Sequence, residues 1–331
     1  MLLPALALHA GESGSVEESE ADEGWEYEEW VYEEDAEPGA EEAEESEAAA
    51  TSNPPYQEFW VSLGLRYDDS RTVRQDLVPR SQGLVIDTRA SAFDERTLGG
   101  HRYRTLGNFQ ADTTLDDLDL SYQVLSAFTG PVFDLAPDTR LHASLGGEVS
   151  FYGGSFFSGL AALYLSAESI EESWLSAYEL AIGVERIDDT FLTGADAVWG
   201  SLWATFATHQ LLAEVDHLDL TPGVSYYYAD EERLRYAQAE LTLRYGGPFH
   251  ERLSGTLWLT GWRRWYVGSE VGVEGDRRDW FLDVGAGVTV WELLLSQLAL
   301  ELIYEYEQNW SNDSFEDNRG HSIGFLFHWG F

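Results

Sequence analysis

The last ten residues of the chain alternate without a break. Ile323, Phe325, Phe327, Trp329 and Phe331 share one side, while Ser322, Gly324, Leu326, His328 and Gly330 share the other. A period of two marks an extended strand, because successive side chains leave opposite faces of the pleat. The pattern recurs upstream. Trp280, Leu282, Val284, Ala286, Val288 and Val290 oppose Asp279, Asp283, Gly285, Gly287 and Thr289. Leu298, Leu300, Leu302, Tyr304 and Tyr306 oppose Glu301, Glu305 and Glu307. Leu141, Ala143, Leu145 and Val149 oppose Arg140, His142, Ser144 and Glu148, and Leu118, Leu120, Tyr122 and Val124 oppose Asp117, Asp119, Ser121 and Gln123. Many of these segments run well past the about 5–6 residues of a soluble strand and suit the about 9–11 tilted residues that cross a bilayer core. Tyr226, Tyr228, Trp280, Tyr304, Tyr306, Trp329 and Phe331 sit at the ends of apolar faces, where interfacial aromatic girdles belong.

Such segments fall near 57–67, 83–93, 101–111, 116–129, 138–151, 156–167, 173–186, 197–209, 215–229, 233–246, 252–266, 278–291, 297–308 and 320–331. They predict an all-β chain, a transmembrane antiparallel up-and-down barrel of about fourteen strands over residues 56–331. Twelve strands is the alternative, since the alternation is weakest over 83–111. Connections 68–82, 187–196, 267–277 and 309–319 are long, whereas most of the intervening ones are turn-sized. If the last strand ends in the periplasm, the long ones are extracellular.

Upstream the texture differs. Residues 1–10, MLLPALALHA, resemble the apolar core and small-residue end of a secretory signal and are expected to be its remnant. Residues 11–55 are expected to be disordered, because the 18 acidic residues among 11–50, with no basic one, leave too little apolar surface to offset ordering entropy. Trp25, Tyr27, Trp30 and Tyr32 interleave with these acids and could dock a basic periplasmic partner. All 19 basic residues of the chain are arginine, against 60 acidic ones, and cysteine is absent. The net charge of −41 excludes a phosphate-tracking nucleic-acid binder. Without lysine there is no Schiff base or P-loop; without cysteine there is no disulfide, thiol nucleophile or cysteine-ligated metal. No cofactor is expected. The implied partner is the lipid bilayer, and the implied location the bacterial outer membrane.

The terminal pattern Ser322, Gly324, Phe327, Trp329 and Phe331 resembles the assembly signal of bacterial outer-membrane barrels, which implies recognition by the barrel-assembly machinery. The preceding segment, Tyr304-Glu305-Tyr306 through Asn309-Trp310-Ser311-Asn312-Asp313 to Asn318-Arg319, is similar to the last hairpin of barrels of the surface-lipoprotein-assembly-modifier type. That resemblance covers about 30 residues. It implies a fourteen-stranded fold, without the upstream helical repeats that such proteins carry.

The polar faces give a candidate lumen. Its basic wall is Arg66, Arg89, Arg102, Arg104, Arg140, Arg244 and Arg264. Its acidic wall is Asp87, Asp117, Asp119, Glu148, Glu179, Glu185, Asp219, Glu240, Asp283, Glu301 and Glu305. Opposed walls would set a transverse field that selects ions, so a pore for small polar solutes or ions is the first reading. An export or surface-assembly barrel whose acidic tail recruits a partner is the second. An outer-membrane enzyme is the third, with His142, Ser144 and Glu148 as the best constellation; no oxyanion hole or Gly-x-Ser-x-Gly elbow accompanies it. Gly64, Gly146, Gly183, Gly285 and Gly287 on the inner faces are expected to serve barrel curvature. The acidic loops at Asp313, Glu316 and Asp317 and at Asp188, Asp189 and Asp196 read as solvated charge, not as metal sites.

Overall fold

A computed structural model describes residues 56–69, 83–171, 174–188, 194–209, 216–268, 276–293, 295–313 and 317–330. The chain divides into Met1–Ser52 and Asn53–Phe331, and all described residues belong to the second unit. The strands are β1 (Tyr56–Asp68), β2 (Gly83–Leu98), β3 (His101–Thr114), β4 (Tyr122–Ala136), β5 (Thr139–Tyr152), β6 (Ser155–Glu171) and β7 (Trp174–Ile187). They continue as β8 (Ala197–His209), β9 (His217–Ala229), β10 (Tyr236–His250), β11 (Leu253–Tyr266), β12 (Arg278–Val290), β13 (Leu298–Ser311) and β14 (Asn318–Gly330). Each pairs antiparallel with its chain neighbours, and β1 pairs with β14, so the sheet closes with no free edge. Fourteen strands, not twelve, form the barrel, and the weakly patterned 83–111 supplies two of them.

The boundaries differ most at β4. The segment read from 116 begins at Tyr122, because Leu118–Leu120 make one 3-10 turn in which the Asp117 carboxylate accepts the Asp119 N–H at 3.1 Å. This turn belongs to the connection between β3 and β4. The apolar residues Tyr122 and Val124 face inward, opposite to the sequence reading, since they pair across the ladder with Asp112 and Gln110.

A strand of 13 residues is about 40 Å long and, tilted by about 40°, rises about 30 Å, enough for the about 25 Å apolar band of a membrane barrel. The outer wall carries that band. Leu63, Leu145, Ile182, Leu202, Val224, Leu257, Leu302 and Ile323 all point outward and are exposed. Tyr67, Tyr228, Trp265, Trp280 and Trp310 mark its upper edge, and Phe133, Trp174, Phe249 and Trp329 its lower edge. At the upper edge the outward Arg263 lies 4.9 Å from the Trp265 ring centroid and 4.3 Å from that of Trp280. Such a large exposed apolar belt has no place in water; its match in height and aromatic edging is that of a barrel in lipid.

Both barrel termini, Tyr56 and Gly330, lie at one end, here called the near end. Three two-residue turns, 99–100, 137–138 and 251–252, also lie there. At the far end β1, β7 and β11 finish and β2, β8 and β12 begin. Gly99 (φ 60°) and Gly100 (φ 81°) join β2 to β3 with two left-handed residues in succession, the backbone of a tight hairpin turn that follows strand twist.

Candidate functional site: the charged lumen

Fourteen strands about 4.8 Å apart, tilted by about 40°, give a circumference equal to that of a circle about 28 Å across. Packed sheets sit about 10 Å apart, so side chains of opposite walls cannot meet across such a space. Solvent reaches the interior accordingly. Arg89, in the middle of β2 and facing inward, keeps 46% of its side chain exposed, and the inward Arg244 of β10 is exposed as well.

On β1–β3, Arg66 binds three carboxylates at once: Asp68 at 3.1 Å, Asp87 at 3.1 Å and Asp112 at 3.2 Å. Arg89 adds a 2.6 Å bond to Asp87. Asp68 and Asp87 are fully buried, so the guanidinium is the cation that makes their burial tolerable. Toward the near end, Arg104 bridges Glu95 and Glu168 at 3.2 and 3.1 Å, and Arg102 bridges Glu95 and Asp134 at 3.3 and 2.6 Å. Arg140 approaches Asp134 at 3.8 Å. The five inward arginines of the first five strands are therefore held by carboxylates of β1–β6. The acids that hold them, other than Asp87, are Asp68, Glu95, Asp112, Asp134 and Glu168, which the sequence reading did not place in the lumen. Their signal was spacing along a strand: Asp68 lies two residues from Arg66, and Glu95 faces Arg104 directly across the ladder.

The wall from β7 to β13 differs. Its inward strand positions carry nine carboxylates, among them Glu179, Glu185, Asp219, Glu240, Asp283, Glu301 and Glu305, against two guanidiniums, Arg244 and Arg264. Arg264 bonds Gln238 at 2.8 Å and stacks over Tyr236 and Trp262 at 4.0 and 4.8 Å. Arg244 stands opposite Asp219. Glu148 lies on the inner face of β5, between the two walls.

Asp117 and Asp119 are not part of this lining. They belong to the exposed turn between β3 and β4, because the alternation that suggested them continues past the strand into a loop.

Four of the inner glycines accommodate aromatic rings. Gly183, Gly223 and Gly285 lie directly across the ladder from the inward Trp199, Trp203 and Trp258, and each indole lies over its glycine. Gly146 does the same for Phe128. Gly64 instead lies against the Phe325 carbonyl and Leu326, and Gly287 against the Glu301 carboxylate.

A relay joins the seam where the barrel closes. Ser62 of β1 lies 2.7 Å from Nδ1 of His328 on β14, and His328 Nε2 lies 2.9 Å from Glu301 on β13. The other constellation considered, His142, Ser144 and Glu148, shares the inner face of β5, but His142 and Ser144 are buried and His142 Nε2 has no hydrogen-bond partner. The charged groups around His142 are Arg104, Glu168 and Glu95.

Among the described residues, no group of three His, Asp or Glu side chains converges as a metal site; three aspartates do converge at β1–β3, on Arg66. Of the assembly-signal residues, Ser322 and Gly324 face inward, and Phe327 and Trp329 outward; Phe331 lies outside the described residues. The signal remnant, the acidic segment with its aromatic island, Asp189 and Glu316 also lie outside them.

No family model matches the chain, and no curated protein matches it. The resemblance of the last hairpin to surface-lipoprotein-assembly-modifier barrels therefore rests on the sequence alone. Among solved structures, the chain is similar to OccK1 (OpdK) of Pseudomonas aeruginosa at 12% identity and a TM-score of 0.40, covering 84% of this chain and 98% of that one. It is similar to in-vitro folded OmpT, an outer membrane protein of Vibrio cholerae, at 8% identity and a TM-score of 0.42, covering 85% and 100%. OccAB4 of Acinetobacter baumannii matches at 8% identity and a TM-score of 0.41, covering 83% and 98%.

Proposed function

We propose that this barrel sits in a bacterial outer membrane and conducts small polar solutes and ions passively, with a preference for cations. The observation that carries the reading is the charge balance of the lumen. The inward arginines of β1–β5 are engaged by acids of β1–β6, so they offer little free positive charge to a passing anion. The inward strand positions from β7 to β13 carry nine carboxylates to two guanidiniums, and the buried Arg277 just before β12 adds a third by binding Asp279 at 2.7 Å. A lumen with that excess lowers the energy of a cation and raises that of an anion throughout its length.

The test is the reversal potential of single channels in a KCl gradient. The reading expects cation preference in the unaltered protein and a shift toward anions in Glu301→Arg. Equal passage of both ions, or no shift in the variant, would refute it.

One observation favours hydrolysis as a second reading: the Ser62–His328–Glu301 relay has the partners of a nucleophile, a base and its orienting acid. Labelling of Ser62 by a fluorophosphonate, lost in His328→Ala, is the outcome that reading requires. Absence of labelling leaves the relay as a seam.

A further inference from the structure

The lipid-facing wall carries few charges, and they divide unevenly between the two ends. At the near end Arg96 is held by Asp94 at 2.6 Å, and Arg252, in the turn between β10 and β11, approaches Glu292 at 3.5 Å. At the far end the outward positions of β11–β14 carry three arginines, Arg263, Arg278 and Arg319. Among the described residues at the outward positions of these four strands there is no carboxylate. In a chain of 60 acidic and 19 basic residues, that is the reverse of the general balance. Arg263 and Arg278 make no ion pair with a described residue.

Arg263 lies directly across the ladder from Trp280, and Arg278 from Trp265. The Arg263 guanidinium is 4.9 Å from the Trp265 ring centroid and 4.3 Å from that of Trp280, so two indoles hold it at the aromatic edge of the apolar band. Arg278 is exposed, and its backbone N–H donates to Asn312 Oδ1 at 2.7 Å, which fixes the strand end. Adjacent strands about 4.8 Å apart and an offset of two residues put the two arginine α-carbons about 8 Å apart, near enough for both side chains to close on one group. Trp265 and Trp280 are 36% and 50% exposed, so this surface is open to lipid. Below the indoles lies hydrocarbon, which cannot pair a guanidinium, and at their height lie headgroups. A guanidinium only donates, and its planar fork fits phosphate oxygens two at a time. Two guanidiniums together match a dianion better than a monoanion, and a phosphomonoester carries about −1.5 to −2 charge near neutral pH where a diester carries a single charge.

We infer that Arg263 and Arg278, with Trp265 and Trp280, form a docking site for the phosphomonoester headgroup of an anionic lipid at the far end of the barrel. The phosphate sits between the two guanidiniums, and the acyl chains run down the wall over Gly261 and Leu282, which pair directly below. Arg319, two strands away and exposed, adds to the positive potential of this rim. The site is on the outer wall and does not depend on what the lumen conducts.

The test is native mass spectrometry of the refolded full-length protein in detergent, offered phosphatidic acid, phosphatidylglycerol and phosphatidylcholine in equal amounts at neutral pH. The inference expects phosphatidic acid adducts at least threefold more abundant than phosphatidylglycerol adducts, with phosphatidylcholine least. That preference falls to near unity when Arg263→Gln and Arg278→Gln are combined, while Arg96→Gln at the near end leaves it unchanged. Each variant is first matched to the parent by circular dichroism, and Arg278→Gln, at an exposed side chain, carries the test if the double variant fails to fold. Equal retention of phosphatidic acid and phosphatidylglycerol, or an unchanged preference in the folded variants, would overturn it. Inorganic phosphate is the further probe. Survival of the phosphatidic acid adducts in its tenfold excess is expected, and their loss would assign the guanidiniums to a free anion and overturn the lipid. Bilayer recordings keep this site apart from the pore. The double variant is expected to conduct with the selectivity of the parent, so loss of lipid preference and failure of the pore are read separately.

Discussion

Arg66 is the side chain on which the β1–β3 corner depends. Its three carboxylate partners lie on three different strands, two of them fully buried, so removing the guanidinium leaves buried negative charges close together. Breaking such a network by deleting one partner costs about 3–5 kcal/mol. Arg66→Gln is therefore expected to lower unfolding stability by that order, measured by denaturant titration in detergent. Arg66→Lys should recover only part of it, because one ammonium cannot reach all three acids in the planar fork of a guanidinium. The Ser62–His328–Glu301 relay is a lesser case. Its groups keep about a fifth of their side-chain exposure at His328 and Glu301, so His328→Ala is expected to cost only about 1 kcal/mol in the same titration. The alternation in sequence placed Arg66 and Glu301 on polar faces. It could not show that Ser62 and His328 meet, since 266 residues separate them and only closure of the barrel makes them neighbours.

Strands differ in how plainly they announce themselves. On β5, β13 and β14 one face is mostly apolar and the other mostly polar, and the register places them as the alternation reads. On β2 and β3 the lipid face carries Thr88, Ala90, Ala92, Thr105 and Gly107, residues that contrast little with a polar lumen, so the pattern is faint although the strands are long. β4 misled by a different route. Its inner face holds Tyr122, Val124, Phe128 and Val132, and the loop residues Leu118 and Leu120 continue that spacing in the wrong phase. Aromatics that lie flat over inner glycines defeat any rule that sends apolar residues to lipid. The hairpin turn between β2 and β3 is more predictable. Gly99→Ala and Gly100→Ala force a Cβ into left-handed backbone and should each cost about 1–2 kcal/mol. Gly107→Ala, on the open outer face of β3 where a Cβ meets nothing closer than 4.0 Å, should cost less than 1 kcal/mol and serves as the control.

For the barrel as one body, the outer surface and the lumen make opposite demands on charge. Leu259, outward and near the middle of β11, faces hydrocarbon, so Leu259→Arg is expected to destabilise the folded barrel in lipid vesicles by about 2–4 kcal/mol. Thr260→Arg, one residue along and facing the lumen, should leave folding nearly unchanged while reducing cation preference. This inside-out arrangement is what the period of two encodes, and it is legible in the sequence alone. The balance of charge between the walls was not, because pairing depends on which strands become neighbours at the same height. The reversal potential of single channels in a planar bilayer with a tenfold KCl gradient measures that balance directly. The charge distribution predicts a potential of the sign set by potassium, moving toward the chloride value in Glu301→Arg. A potential near zero or of the chloride sign, or silence from barrel shown to be folded, would contradict the account.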